Sequence, residues 1–194
     1  MILKNKRIIL GSNSPRRREL LKYLDIDFTV DTGNTFEEKF DPATPHEVVP
    51  LLMAEGKSEG FHRELEEDEI LITADTMVLC DGKILGKPHS HEEAIGMLQL
   101  LSDKWHQVIT GVCIKSPEMD LSFSDTTEVH FKELTDEEIN YYVDQYKPYD
   151  KAGAYGIQEW IGYIGIDCIE GSYFNIVGLP VQKLYMALQK FEDQ

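Results

Sequence analysis

The chain is poor in cysteine and in positive charge, and it has no long apolar run. Cys80, Cys113 and Cys168 are odd in number, far apart and in no CxxC pattern, which argues against a disulfide framework and a structural zinc site and points to a reducing compartment. Lys and Arg number 19 against 35 Asp and Glu, and the formal net charge of −16 argues against a nucleic acid polymer as partner, since such proteins need a broad cationic face to displace counterions. A phosphorylated ligand must then be held by a few local cations or by metal. The run Ile8-Ile9-Leu10 is too short for a signal peptide, and no later stretch approaches a membrane span, so a cytoplasmic protein without a membrane partner is expected. Familiar catalytic signatures are scarce too. HExxH and GxSxG are absent, and Ala54-Glu55-Gly56-Lys57-Ser58 imitates the end of a P-loop but has Leu51 where the first glycine is required. His89-Ser90-His91 has no third ligand signal nearby and reads as structural.

What is present suffices to fold. Hydrophobic residues make up 42% of 194 positions, enough for the core of one large domain or of two lobes sharing a cleft. Arg7-Ile8-Ile9-Leu10 reads as a short strand, and Ser14 followed by Pro15 marks a helix start, because proline's missing N–H costs no bond at the first helical position. Leu20, Leu21 and Leu24 share one face of that helix. Phe28-Thr29-Val30 predicts a second strand, a helix restarts at Thr44-Pro45 with Pro50 kinking or delaying it, and residues 64–69 form an acidic surface loop. Ile70-Leu71-Ile72-Thr73 predicts a strand that delivers Ala74-Asp75-Thr76 at its end, followed by a hairpin about Cys80-Asp81-Gly82. Ser90 with Glu93, and Thr135 with Glu138, are capping boxes ahead of two helices. Residues 107–115 and 123–131 predict a mainly antiparallel strand pair, residues 161–169 and 173–177 two more strands, and Val181, Leu184, Tyr185 and Leu188 a closing amphipathic helix. Elements mix rather than alternate, so the fold class is α/β, of a mixed α+β kind, around one mixed sheet.

Three segments carry chemistry, each with two readings. In Ser12-Asn13-Ser14-Pro15-Arg16-Arg17-Arg18 the helix's free N–H groups and positive dipole end face a polar turn, which suits a phosphate as well as it suits a capped helix with solvated arginines. Asp75 fits a catalytic carboxylate where α/β proteins place ligands, and fits a plain Asx or Ser/Thr turn. Glu37 and Glu38 offer oxygens of the kind that hold Mg²⁺ against a nucleotide phosphate, or belong to a solvated loop. Lys57, and Lys87 in Leu85-Gly86-Lys87-Pro88, read by themselves as surface cations. In Asp150-Lys151-Ala152-Gly153-Ala154-Tyr155-Gly156-Ile157-Gln158 two glycines permit close backbone approach, and Gln158 offers a donor and an acceptor, for a base edge or for an ordinary internal hydrogen bond.

Ser12-Asn13-Ser14-Pro15-Arg16-Arg17, Thr73-Ala74-Asp75-Thr76, Gly86-Lys87-Pro88, the 150–158 segment, Gly171-Ser172-Tyr173 and Val177-Gly178-Leu179-Pro180 together resemble the Maf family of nucleotide pyrophosphatases, in the right order over nearly the whole chain. The form of residues 151–158 is similar to the branch acting on dTTP and UTP. The resemblance implies one Maf-like domain over residues 1–194, with two lobes around a central mixed, twisted sheet, flanking helices and a nucleotide-binding cleft. It implies hydrolysis of a nucleoside triphosphate between the α and β phosphates, giving the monophosphate and pyrophosphate, with a divalent cation (Mg²⁺, Mn²⁺ or Co²⁺) and a homodimeric assembly. Asp75 is then the general base, or a metal ligand orienting the water, and Glu38 helps bind the metal. Ser12, Ser14, Arg16, Arg17, Lys57 and Lys87 hold the phosphate chain, while Arg16, Thr76 and Gln158 bear on the choice of nucleotide. An amide pairs with the carbonyls and N–H of uracil or thymine, whereas cytosine reverses the pattern at two positions. The alternatives are the same reaction on a modified nucleotide such as 7-methyl-GTP, or a nucleotide-binding regulator of septum formation in cell division. Two positions depart from the family pattern: Gly11 stands where alanine is common, and Glu159 follows Gln158 where glycine is usual.

Overall fold

The computed structural model describes residue 3 and residues 5–192. Ile8, Ile9 and Leu10 are buried in β1 (Arg7–Leu10), which pairs in parallel with β2 (Phe28–Val30) and β3 (Glu69–Cys80), Leu10 lying opposite Val30 and Ile72. Parallel strands need crossover connections. The chain supplies α1 (Pro15–Lys22) before β2, and a 3₁₀ turn (His46–Val48) with α2 (Val49–Glu59) before β3. Ser14 caps α1 and Pro15 opens it; Pro50 lies in the first turn of α2, where it delays the helix and breaks no bond. β3 turns into β4 (Lys83–Leu85) through Asp81 at φ 49° and Gly82 at φ 71°, the left-handed pair that a two-residue hairpin needs. The order continues with α3 (His91–Leu101), β5 (Trp105–Lys115), β6 (Asp120–Phe131), α4 (Asp136–Tyr146), a 3₁₀ turn (Ala152–Ala154), α5 (Trp160–Gly165), β7 (Ile166–Glu170), α6 (Tyr173–Val177) and α7 (Val181–Leu188). Among the described residues one seven-stranded sheet runs β2-β1-β3-β5-β6-β7, with β4 on β3. Its β6–β7 pair is antiparallel, so the sheet is mixed and the protein is of the mixed α/β class.

The chain folds as two compact units, the first made of residues 1–75, 110–125 and 178–194, the second of residues 76–109 and 126–177. In the first, Ile8, Leu10, Leu21, Ile70, Leu71 and Ile72 form the core, and Gly111 of β5 lies against the backbone of Leu51, where any Cβ would collide. In the second, Leu98, Leu101, Val129, Tyr142 and Ile161 surround a ring cluster in which Phe131 meets Tyr155 edge-on at 5.0 Å and His106 shares a 2.8 Å hydrogen bond with the Tyr155 hydroxyl.

Four local expectations need correction. Asp75 lies inside β3, not at a strand end: β1 pairs with residues 69–72 and β4 with residues 78–80, so Asp75 and Thr76 belong to neither pairing and are the two half-buried positions of an otherwise buried strand. Residues 161–165 and 173–177 are helical. Gly162 packs on the Ile157 carbonyl, and the buried Asn175 amide donates to Val108 O and Thr127 Oγ1, both at 3.0 Å, while its own N–H is capped by Ser172 Oγ at 3.3 Å. Tertiary contact thus overrides the β-branched and aromatic preference there. Glu69 leaves the acidic run to become buried, held bidentately by Arg63 at 2.6 and 3.0 Å. Finally, Glu93 reaches past Ser90 to the His89 N–H at 2.7 Å, whereas Thr135 and Glu138 do close a full capping box.

Candidate active site

The site residues of the first unit grow out of the polar turn after β1. Ser14 Oγ accepts the Arg17 N–H at 3.4 Å and Ser12 Oγ accepts the Ser14 N–H at 3.3 Å, so both hydroxyls are fixed at the N-terminus of α1. Arg17 is the hub of this turn. Its Nε donates to Gly178 O at 2.8 Å, and its Nη1 donates to Ala74 O at 2.8 Å and to Ser12 Oγ at 3.2 Å. Burial pulls the Arg17 guanidinium below its usual range, with the Asp75 carboxylate acting in the opposite direction, then Arg16 lowering and Glu38 raising it. A guanidinium stays protonated under such a shift. The turn therefore keeps a fixed positive charge whose hydrogen bonds reach the peptide immediately before Asp75.

A second cluster forms around Lys57, on the last turn of α2. Its Nζ lies 2.6 Å from Asp75 Oδ1 and 2.9 Å from Glu38 Oε1; the Lys57 and Asp75 side chains are 18% and 20% exposed, that of Glu38 63%. Thr73 Oγ1 donates to Ala54 O at 2.6 Å, which pins α2 to β3 beside the pair. The loop bearing Glu38 is tied to the end of the same helix: Asn34 Nδ2 donates to the Lys57 carbonyl, the Thr35 N–H donates to Gly60 O at 2.9 Å, and the Phe36 ring sits on Gly56, where a Cβ would strike it. Gly56 thus seats an aromatic ring instead of cradling a phosphate, and Asn34 and Phe36 are positioning residues that the sequence reading missed. Their signal was the pairing of an aromatic with a helical glycine, which acquires meaning only once the loop is folded.

In the second unit, Thr76 follows Asp75 along β3, and Lys87 and Gln158 are exposed. Gly86 O accepts the Gly153 N–H at 3.1 Å, so the Lys87 turn is seated on the 152–154 segment that leads to Gln158. Glu159 has φ −105°, a conformation that does not call for glycine.

As to metal, Asp75 and Glu38 bring two hard oxygen donors to one point, the set through which Mg²⁺ is usually held together with substrate phosphates. Among the described residues there is no group of three or more His, Cys, Asp or Glu side chains able to hold an ion, so a closed zinc-type centre does not fit. Serine hydroxyls and helix N–H groups beside fixed cations, next to a lysine-held carboxylate pair, can bind a polyphosphate and direct water at it.

These are the attributes of a phosphate-handling α/β protein. Residues 7–191 match the family model described as Maf-like protein, and the chain belongs to the Maf family. Curated relatives named dTTP/UTP pyrophosphatase are 53% identical in Parabacteroides distasonis, over 97% of this chain and 98% of the relative, and 50% identical in Porphyromonas gingivalis, over 98% and 97%. One from Phocaeicola vulgatus is 53% identical over 97% of both chains. A HAM1 protein from Coxiella burnetii superposes with a TM-score of 0.48 at 14% identity, over 95% of this chain and 99% of that one.

Proposed function

We propose that this protein is a nucleoside triphosphate pyrophosphatase that hydrolyses dTTP and UTP to the monophosphate and pyrophosphate, with residues 1–194 as one catalytic domain. The observation that carries the reading is Lys57 Nζ held by both Asp75 and Glu38, beside the Arg17-braced serine turn; the names of the relatives supply the substrates. Asp75 takes a proton from the water that attacks the α-phosphorus, the bond from that phosphorus to the bridging oxygen breaks, and pyrophosphate leaves with the bond's electron pair. Ser12 and Ser14 donate to phosphate oxygens, Arg16 and Lys87 neutralise the chain, Arg17 keeps the turn positive and in place, and Lys57 holds Asp75 oriented. Arg16, Arg17, Lys57 and Lys87 against Asp75 and Glu38 leave two net positive charges, short of what a triphosphate carries. A divalent cation held by Asp75 and Glu38 fits that deficit and would supply Lewis-acid stabilisation of the phosphoryl oxygens. Thr76 and Gln158 select the pyrimidine, the amide matching uracil and thymine better than cytosine.

The test is pyrophosphate release from dTTP, UTP, CTP and 7-methyl-GTP with Mg²⁺ or Mn²⁺, using Asp75→Asn as control. Turnover of dTTP and UTP is expected, with a fall of about 10²–10⁴-fold in the variant. Preference for 7-methyl-GTP would replace the substrate assignment, and an undiminished Asp75→Asn enzyme would remove Asp75 from the mechanism.

A further inference from the structure

The segment that carries Gln158 is held in an improbable backbone conformation. Gly153 and Ala154 are consecutive left-handed residues, at φ 69° and 58°, and for alanine that region is costly. Such a conformation persists only where its surroundings over-determine it. On one side Tyr155 is buried and its hydroxyl is bonded to His106. On the other side stands a polar cluster that the proposed chemistry does not use. The Gly156 N–H donates to the Tyr142 hydroxyl at 3.1 Å, that hydroxyl donates to Glu159 Oε2, and Lys151 Nζ lies 3.0 Å from Glu159 Oε1 and 2.7 Å from Asp150 Oδ1. Tyr142 is fully buried, and burial together with the Glu159 carboxylate keeps its phenol protonated, so it can donate and accept at once. The Glu159 backbone is held as well: its N–H donates to Gly156 O at 3.0 Å, and its carbonyl accepts the Gly162 N–H at 2.9 Å in the first turn of α5. Gln158, exposed, is thus flanked by Ile157, which is buried, and by a residue whose backbone and carboxylate are both anchored.

We infer that Glu159, bridged to Tyr142 and Lys151, is a positioning residue that clamps the 151–158 segment and thereby sets where Gln158 presents its amide to the base. The inference rests on the proposed reading of Gln158 as the base-selecting residue. Because binding of the base, and not the proton transfer, depends on the clamp, its loss should raise KM and leave kcat in place.

Glu159→Gln keeps the shape and removes the charge; Tyr142→Phe removes the hydroxyl at the centre and stands in if the first variant folds poorly. Kinetics with UTP, dTTP and CTP are compared for these, wild type and Gln158→Ala, alongside hydrogen exchange at the Gly156 amide. KM for UTP and dTTP is expected to rise about tenfold with kcat within about twofold, the preference for UTP over CTP to fall about tenfold as in Gln158→Ala, and Gly156 to exchange at least about tenfold faster. A wild-type preference in both clamp variants overturns the inference, as does a preference unmoved by Gln158→Ala. If the wild-type protein hydrolyses neither dTTP nor UTP, the functional reading itself has failed. The exchange rate at Gly156 then tests the clamp by itself, and an unchanged rate refutes it.

Discussion

Replacing Arg17 by lysine separates a cation that binds substrate from one that braces the site. The guanidinium fork spans Gly178 O, Ala74 O and Ser12 Oγ, at 2.8, 2.8 and 3.2 Å, and Ala74 and Gly178 are both buried. An ammonium group at the end of a lysine side chain cannot reproduce that planar fork, so at least one buried carbonyl loses its donor. Losing a hydrogen bond from a charged donor to a buried carbonyl costs about 1.5–3 kcal/mol, and with the Ser12 bond also lost the total is about 2–4 kcal/mol. For a chain of this size each kcal/mol lowers the unfolding temperature by about 2–4 °C, so Arg17→Lys should unfold roughly 5–15 °C earlier. Because the same bonds lock the peptide before Asp75 and orient Ser12, kcat should fall about tenfold or more even where the variant is fully folded. Scanning calorimetry and pyrophosphate release at 20 °C below the new transition measure both effects. An unfolding temperature within about 2 °C of wild type together with turnover within about twofold would show that the bracing is unimportant.

Other consequences follow from single contacts. Burial pushes His106 down to about 4 from 6.5, so the unfolded chain takes up a proton that the folded one refuses; the stability present above pH 6.5 is lost as pH falls toward 4, by about 3 kcal/mol. Urea unfolding at pH 7 and pH 4.5 should show this loss, and His106→Gln should remove most of it. Gly56→Ala drives a methyl into the Phe36 ring and displaces the loop that carries Glu38. It should weaken Mn²⁺ binding by calorimetry about tenfold while Asp75 keeps the remainder, and unchanged affinity would detach Glu38 from the metal. Lys57→Met removes the cation that Asp75 and Glu38 share and that orients Asp75; turnover should drop about 10²-fold in a pyrophosphate-release assay, and turnover within about twofold of wild type would show that the lysine does not position the carboxylate.

Much of the scaffold was legible because it is built from interactions that close within a few residues. Ser14 capping Arg17, Thr135 boxing with Glu138, and Asp81-Gly82 turning β3 into β4 all concern positions no more than four apart, and each was readable from residue type and spacing. The same locality made the motif at Ser12–Arg17 and the segment before Gln158 recognisable as pieces of a Maf chain. The failures were equally physical. Residues 161–165 and 173–177 have strand-like composition, and it took the close seat of Gly162 on Ile157 and the burial of Asn175 among Val108 and Thr127 to make them helical.

The sequence by itself determined the caps, the hairpin turn, the strand–helix–strand order of the β1–α1–β2 start and the family to which the chain belongs, since these rest on neighbouring residues or on motifs in order. Only the tertiary structure decided what the charged side chains do. Arg17 meets carbonyls 57 and 161 positions away, and Lys57 meets Asp75 at a separation of 18. Glu159, just ahead of α5, finds one of its partners in a tyrosine 17 residues back on α4. A long side chain's charge states only that it needs a partner; which one it gets depends on packing that brings distant backbone together, and that is settled by the whole core at once.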